Sequence, residues 1–221
     1  MRNIIDGVHR FQKDVFPEYR EEFKKLAGSQ HPGTLLITCA DSRIVPSMIT
    51  QTGPGALFIC RNAGNIVPPY GEVAGGVSAT IEYAVAVLAV QSIVVCGHSD
   101  CGAMRAALDL SKVAALPAVS SWLSHTASAV AITVQTCTDG DAMARLRAVT
   151  EENVLLQMQH LTTHPTVAAA LERSALEVHG WIYDIESAAV LAYDPERKRF
   201  EPVDADATPA ISQSKRWLAR R

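Results

Sequence analysis

Thr34-Leu35-Leu36-Ile37-Thr38-Cys39, residues 34–39, is a nearly unbroken apolar run that stops on a cysteine and is followed at once by Ala40-Asp41-Ser42-Arg43. A strand with one wet face alternates apolar and polar residues. A run without alternation suits a strand buried on both faces, as in a parallel sheet covered by helices. Two more such runs follow, Ala56-Leu57-Phe58-Ile59-Cys60 and Ser92-Ile93-Val94-Val95-Cys96. Between them, residues 75–90 are alanine-rich, and Val77, Ile81, Ala84, Val85 and Leu88 fall on one helical stripe. Strand, helix, strand is the βαβ pattern of an α/β fold.

Upstream of this core, Ile4, Ile5, Val8, Phe11, Val15 and Phe16 recur at roughly helical spacing, and Pro17 suits the first turn of a second helix. This amphipathic arm is expected to pack on a neighbouring subunit. Downstream, residues 117–170 are mostly helical, with a break at Asp139-Gly140 and a helix start at Thr150-Glu151-Glu152-Asn153. Residues 176–183 predict a fourth strand, and 187–193 a fifth that pairs with it antiparallel. The expected architecture is one α/β domain. It has a mostly parallel central sheet of four strands plus an antiparallel edge strand, flanked by helices. Residues 1–30 form the N-terminal helical arm, 31–200 the core, and 201–221 a loop-like tail whose basic end, 215–221, frays.

Composition narrows the function. With 48% hydrophobic and 19% charged residues, the 221-residue chain reads as globular, and its net charge of −3 favours neither nucleic acid nor an anionic membrane. No apolar run is long enough to span a bilayer, and residues 1–8 do not resemble a signal peptide, so a cytoplasmic location is expected. Cys39, Cys60, Cys96, Cys101 and Cys137 make an odd count, against a complete disulfide framework. Cys60 and Cys96, in apolar strands, are expected to be inert.

Chemistry gathers at two strand ends. Cys39 ends the first strand, and Cys96-Gly97-His98-Ser99-Asp100-Cys101-Gly102 ends the third. Sites in open α/β sheets form at the carboxyl ends of strands, where strand order reverses. If those strands are neighbours, Cys39, His98 and Cys101 converge. Two thiolates and an imidazole suit Zn2+, and three protein ligands leave one coordination position open, as catalytic zinc requires. Asp41 lies close enough to accept a hydrogen bond from a water at that position, and also close enough to take the position itself. Arg43 can hold Asp41 in a bidentate pair, ionised and off the metal. A cysteine after a strand is more often core than ligand, and Asp41 with Arg43 could be a plain ion pair. The combination is far more specific than its parts.

Cys39-Ala40-Asp41-Ser42-Arg43 with Gly97-His98-Ser99-Asp100-Cys101-Gly102 resembles the β-carbonic anhydrases. Arg61-Asn62-Ala63-Gly64-Asn65, residues 76–85 and Gly180-Trp181-Ile182-Tyr183-Asp184-Ile185 extend the likeness over nearly the whole chain. It is greatest to the bacterial enzyme that accompanies cyanase, and that resemblance implies a context in cyanate metabolism. The resemblance implies reversible hydration of carbon dioxide to bicarbonate. It implies one Zn2+ per subunit on Cys39, His98 and Cys101, and Asp41 with Arg43 as the catalytic dyad. It implies a narrow apolar pocket at a homodimer interface, alone or in a dimer of dimers. Gln30 matches the substrate-binding glutamine that plant-type members take from the partner subunit. Phe58 and Tyr83 match the pocket's aromatic positions, and the Gly102 amide is a further contact. Members with an inhibitory bicarbonate site carry tryptophan three residues before the first zinc cysteine. Leu36 stands there, which implies the plant-like subtype without that regulation.

The sequence admits three rival readings. Carbonyl sulfide and carbon disulfide hydrolases share this zinc constellation. A non-catalytic zinc protein that binds a partner would have no need of the Asp41-Arg43 dyad. A nucleotide-binding α/β protein lacks its Gly-x-Gly-x-x-Gly, since Gly53-Pro54-Gly55 precedes a strand and reads as a turn.

Overall fold

The computed structural model describes residues 1–71, 75–138 and 141–203. The three apolar runs form β1 (Thr34–Cys39), β2 (Leu57–Asn62) and β3 (Ser92–His98). With β4 (Glu177–Tyr183), β5 (Val190–Asp194) and β6 (Arg199–Pro202) they make one sheet of order β2-β1-β3-β4-β5-β6. The first four strands are parallel, and β5 and β6 run antiparallel at one edge. Branched side chains on both faces explain the central strands: Leu35, Ile37, Ile93 and Val95 face one core, while Leu36 and Val94 form a smaller cluster with Cys96.

The sixth strand corrects the expected loop from Glu201. Asp194 accepts hydrogen bonds from the Glu196 and Arg197 amides, and Lys198 adopts a positive φ of 54°. Arg197, in the turn, and Arg199, on the same strand as Glu201, both pair with that carboxylate. A tight polar turn with a four-residue strand carries little hydrophobic signal, so the sequence pattern reads as loop. The expected tail beyond residue 203, including its frayed end, lies outside the described residues.

The arm comprises α1 (Arg2–Arg10), a π-helical turn at Phe11–Val15, and α2 (Phe16–Leu26) with Pro17 in its first turn. It buries none of its residues within the chain; Ile4, Ile5, Val8, Phe11 and Val15 are all exposed. The short α3 (Pro46–Thr50) follows β1. The helix α4 (Gly76–Ala86) crosses from β2 to β3 with Ile81 and Ala84 buried and Val77, Val85 and Leu88 packed on the core. After β3 come α5 (Gly102–Ala107), α6 (Pro117–Leu123), α7 (Ala127–Thr136), α8 (Ala142–Thr163) and α9 (Pro165–Glu172).

α8 begins eight residues before the expected start at Thr150. Asp141 is its cap, accepting from the Met143 amide at 2.9 Å. Thr150 and Asn153 are buried in its middle instead of opening it. The expected break at Asp139-Gly140 lies outside the described residues.

α8 lies across β3 and β4, where two glycines leave room for it. A Cβ at Gly180 would stand 2.6 Å from Met158 Sδ and 2.9 Å from Val154 Cγ1; one at Gly97 would stand 2.9 Å from Val154 Cγ2. Gly180→Ala is therefore expected to lower unfolding free energy by about 1–3 kcal/mol, as overpacked cores do. Urea denaturation checks it, and an unchanged midpoint would count against this packing.

His164, buried at the α8–α9 junction, donates from Nε2 to Pro68 O at 3.1 Å. Burial pushes its pKa below the ordinary value. The unfolded chain then binds a proton that the folded one refuses. Stability is expected to fall as pH drops below about 6.5, and His164→Asn to flatten that decline. Thermal midpoints between pH 7.5 and 5.5 test this; parallel curves for both proteins would refute it.

Candidate metal centre

β1 and β3 are neighbours, so Cys39 at the end of one lies beside His98 at the end of the other. β3 runs two residues past the expected Cys96, which puts His98 inside the strand, paired with Tyr183 on β4. Cys101 follows the turn and caps α5, and Asp100 takes a positive φ of 55° to make that turn. Cys39, His98 and Cys101 are all buried, and their donor atoms lie within 4.8 Å of one another. Among the described residues they form the one cluster of three or more such donors.

The geometry fits a zinc ion. Cys39 Sγ and Cys101 Sγ are 4.0 Å apart, against about 3.8 Å for two thiolates on tetrahedral zinc at ~2.3 Å. His98 Nδ1 is 2.8 Å from Ser99 O and donates to it. That leaves the lone pair on Nε2, a buried nitrogen with no hydrogen-bond partner. An orphaned buried acceptor beside two thiols is costly unless a cation completes it.

Electrostatics favour charge here. The Cys101 thiol donates to Cys39, and this, with the Gly64 and Asp41 amides, outweighs burial and lowers the Cys39 pKa to about 4. Cys101 is pushed up in turn by the Cys39 thiolate and by burial. One thiolate is stable without metal; a second negative charge requires a cation. The other strand cysteines differ: burial raises Cys60 and pushes Cys96 up to about 12. None of the five cysteines is in a disulfide.

Asp41 and Arg43 meet as expected. Arg43 donates from Nε to Asp41 Oδ1 at 3.0 Å and from Nη2 to Oδ2 at 2.8 Å, and its backbone amide adds a third bond at 3.0 Å. The Arg43 guanidinium holds the Asp41 carboxyl well below the usual carboxylate range. Asp41 Oδ2 lies 3.9 Å from His98 Nε2, at the edge of the donor cluster.

Several supporting residues escape sequence reading. Arg43 also donates to Asp100, which pairs with Arg105 on α5. Arg61 donates to Cys39 O at 3.0 Å and Asp41 O at 2.7 Å, fixing the loop between them. Gly64 N lies 3.4 Å from Cys39 Sγ. The stretch 61–65 stands out as a motif, but its roles are backbone contacts that residue types do not announce.

Gly102 opens α5 beside Cys101. Gln30, Phe58 and Tyr83 are not brought to this site by their own chain. Phe58 pairs with Leu35, and Gln30 precedes β1. At ~3.3 Å per residue the Leu35-to-Cys39 span is about 13 Å. Tyr83 sits by Phe58, ring centroids 6.0 Å apart, and is half exposed. These three belong to the opposite end of the sheet.

The chain matches the family model described as carbonic anhydrase over residues 34–190. A carbonic anhydrase of Pseudomonas aeruginosa is 53% identical over 200 residues, spanning 90% of each chain. The solved β-carbonic anhydrase CcaA superposes with a TM-score of 0.90 at 40% identity, over 93% of both chains. Tetrameric β-carbonic anhydrases of Sordaria macrospora give 0.69 at 33% identity, over 86% of this chain and 92% of theirs. Family match, fold and donor cluster coincide on β1 and β3, and the chain belongs to the β-class carbonic anhydrases.

Proposed function

We propose that this chain catalyses the reversible hydration of carbon dioxide to bicarbonate and a proton, with one Zn2+ per subunit on Cys39, His98 and Cys101. The observation that carries this is the unpartnered His98 Nε2 facing two thiols beside a carboxylate clamped by Arg43. When bound, zinc supplies the Lewis acidity that brings a water's pKa near neutrality. Asp41, ionised and acceptor-only, holds a hydroxyl proton and leaves that oxygen's lone pair for carbon. Arg43 keeps Asp41 in that role and away from the metal. The Gly102 amide is a candidate contact for bicarbonate.

Stopped-flow hydration of carbon dioxide on protein of measured zinc content tests the reading, with carbonyl sulfide and carbon disulfide assayed beside it. Turnover of carbon dioxide that rises with pH supports it. Turnover of the sulfur analogues alone would reassign the substrate. No turnover of any of them by zinc-loaded protein would favour a non-catalytic zinc protein.

We also propose that the pocket is completed by a second copy. The unburied arm offers an apolar stripe for association, and Gln30, Phe58 and Tyr83 sit too far from their own metal centre to serve it. Gln30→Ala and Cys39→Ser proteins, each inactive alone, should regain roughly a quarter of wild-type activity when unfolded together and refolded 1:1 as random dimers. No recovery in the mixture would place Gln30 outside the shared site.

Leu36 packs with Val94, Cys96, Leu57, Trp181 and Tyr183, and it is leucine in place of tryptophan at this position that supports the plant-like subtype. The five free cysteines suit the cytoplasm, and no described helix is long and apolar enough to cross a membrane. A role in cyanate metabolism rests on likeness alone, and growth of a deletion strain on cyanate tests it.

A further inference from the structure

Gly64 is the one residue whose backbone amide reaches Cys39 Sγ from outside the two ligand loops, at 3.4 Å, among the described hydrogen bonds. Nothing in Gly64 itself aims that N–H. It belongs to the Ala63–Gly64 peptide, and in a planar trans peptide the N–H and C=O point in opposite directions. The carbonyl of that same peptide, Ala63 O, accepts a hydrogen bond from Trp122 Nε1 at 2.8 Å. Pulling the carbonyl toward α6 turns the amide toward the sulfur.

The next peptide is held as well. Gly64 O accepts from Asn153 Nδ2 at 3.0 Å, and Asn153, fully buried on α8, is itself oriented by Gln157 Nε2 at 2.8 Å. Gln157 Oε1 accepts the Val67 amide at 2.9 Å, closing the far side of the loop. Gly64 has a φ of +83°, and a Cβ there would lie 2.9 Å from Met104 Cε and 3.1 Å from Ala103 Cβ. The loop is thus pressed against α5 and pinned on both sides of Gly64 by two side chains that touch no metal donor.

We propose that Trp122 and Asn153 are positioning residues that aim the Gly64 N–H at the Cys39 thiolate and so set how strongly that sulfur donates to the metal. The inference rests on Cys39 being a metal ligand, as proposed above. An N–H···S bond lowers the energy of the sulfur lone pair. Such outer partners of metal ligands typically govern affinity by 10–100-fold.

The test uses protein in which Co2+ replaces zinc, whose thiolate-to-cobalt charge-transfer band reports the sulfur directly. Trp122→Phe removes one N–H donor from a partly exposed ring and leaves the aromatic packing. It is expected to move the band to longer wavelength and to speed transfer of zinc to a chelator by roughly tenfold. Asn153→Leu is expected to do the same. Met158→Ala, which weakens the core on the same helix without touching the loop, is expected to leave both readouts at wild-type values. An unmoved band in folded Trp122→Phe would overturn the proposal, as would an equal shift in Met158→Ala. If wild-type protein takes up cobalt with no thiolate band at all, the metal-centre reading fails instead, so the two failures are distinguishable.

Discussion

A Cys39→Ser protein is expected to lose its zinc and, with it, carbon dioxide hydration down to the uncatalysed background. A serine hydroxyl at this position would have to ionise to replace the thiolate, and nothing at the site lowers an alcohol that far. The Cys39 thiol is already drawn down to about 4 by the Cys101 donor beside it, with help from nearby amides. With only Cys101 and His98 left, the site drops below the three protein ligands typical of catalytic zinc. Without the metal, a water's pKa returns from about 7 to about 15.7, and the nucleophile vanishes at neutral pH. Metal analysis of the dialysed protein and stopped-flow hydration check this together. Retained zinc with wild-type turnover would remove Cys39 from the ligand set.

Arg43→Ala is expected to separate metal content from activity. Three hydrogen bonds hold Asp41 in place, two from the guanidinium and one from the Arg43 amide. Alanine leaves only the last. The carboxylate, 3.9 Å from the His98 nitrogen, then has a short rotation to the open coordination position. Zinc should stay bound, now by four protein ligands, while turnover falls by about a hundredfold or more, the scale seen when a reacting group is misplaced by an ångström. X-ray absorption at the zinc edge reads the exchange of a water for a carboxylate oxygen. Full activity with an unchanged zinc environment would show that Asp41 needs no restraint.

The site was more legible than the scaffold that holds it. Cys39 closes one apolar run, and His98 and Cys101 follow another within five residues; a strand's end is easy to see when its interior is unbroken by polar residues. Their convergence needed only β1 beside β3, which the sheet provides. The start of α8 is not legible locally, because Thr150-Glu151-Glu152-Asn153 looks like a helix opening and a local signal cannot reveal that Thr150 and Asn153 are buried. Trp122 and Asn153 were invisible for the same reason: they act on backbone atoms 59 and 89 positions away in the chain. Gln30, Phe58 and Tyr83 entered through resemblance alone, and a single chain leaves them at the far end of the sheet.

The close seating of α8 on Gly97 and Gly180 constrains how this protein can change over time. Val154 approaches both glycines, and Met158 fills the space above Gly180. Replacing Gly180 by alanine is harmful while Met158 keeps its length, and shortening Met158 alone leaves a cavity. Each change is disfavoured singly, yet the pair restores the fit, so their effects should be strongly non-additive. Lineages that cross between the two packings must pass through a weakened intermediate or acquire stability elsewhere first. The order in which substitutions arrive at positions 97, 154, 158 and 180 is therefore itself restricted, although none of these residues touches the metal centre's donor atoms.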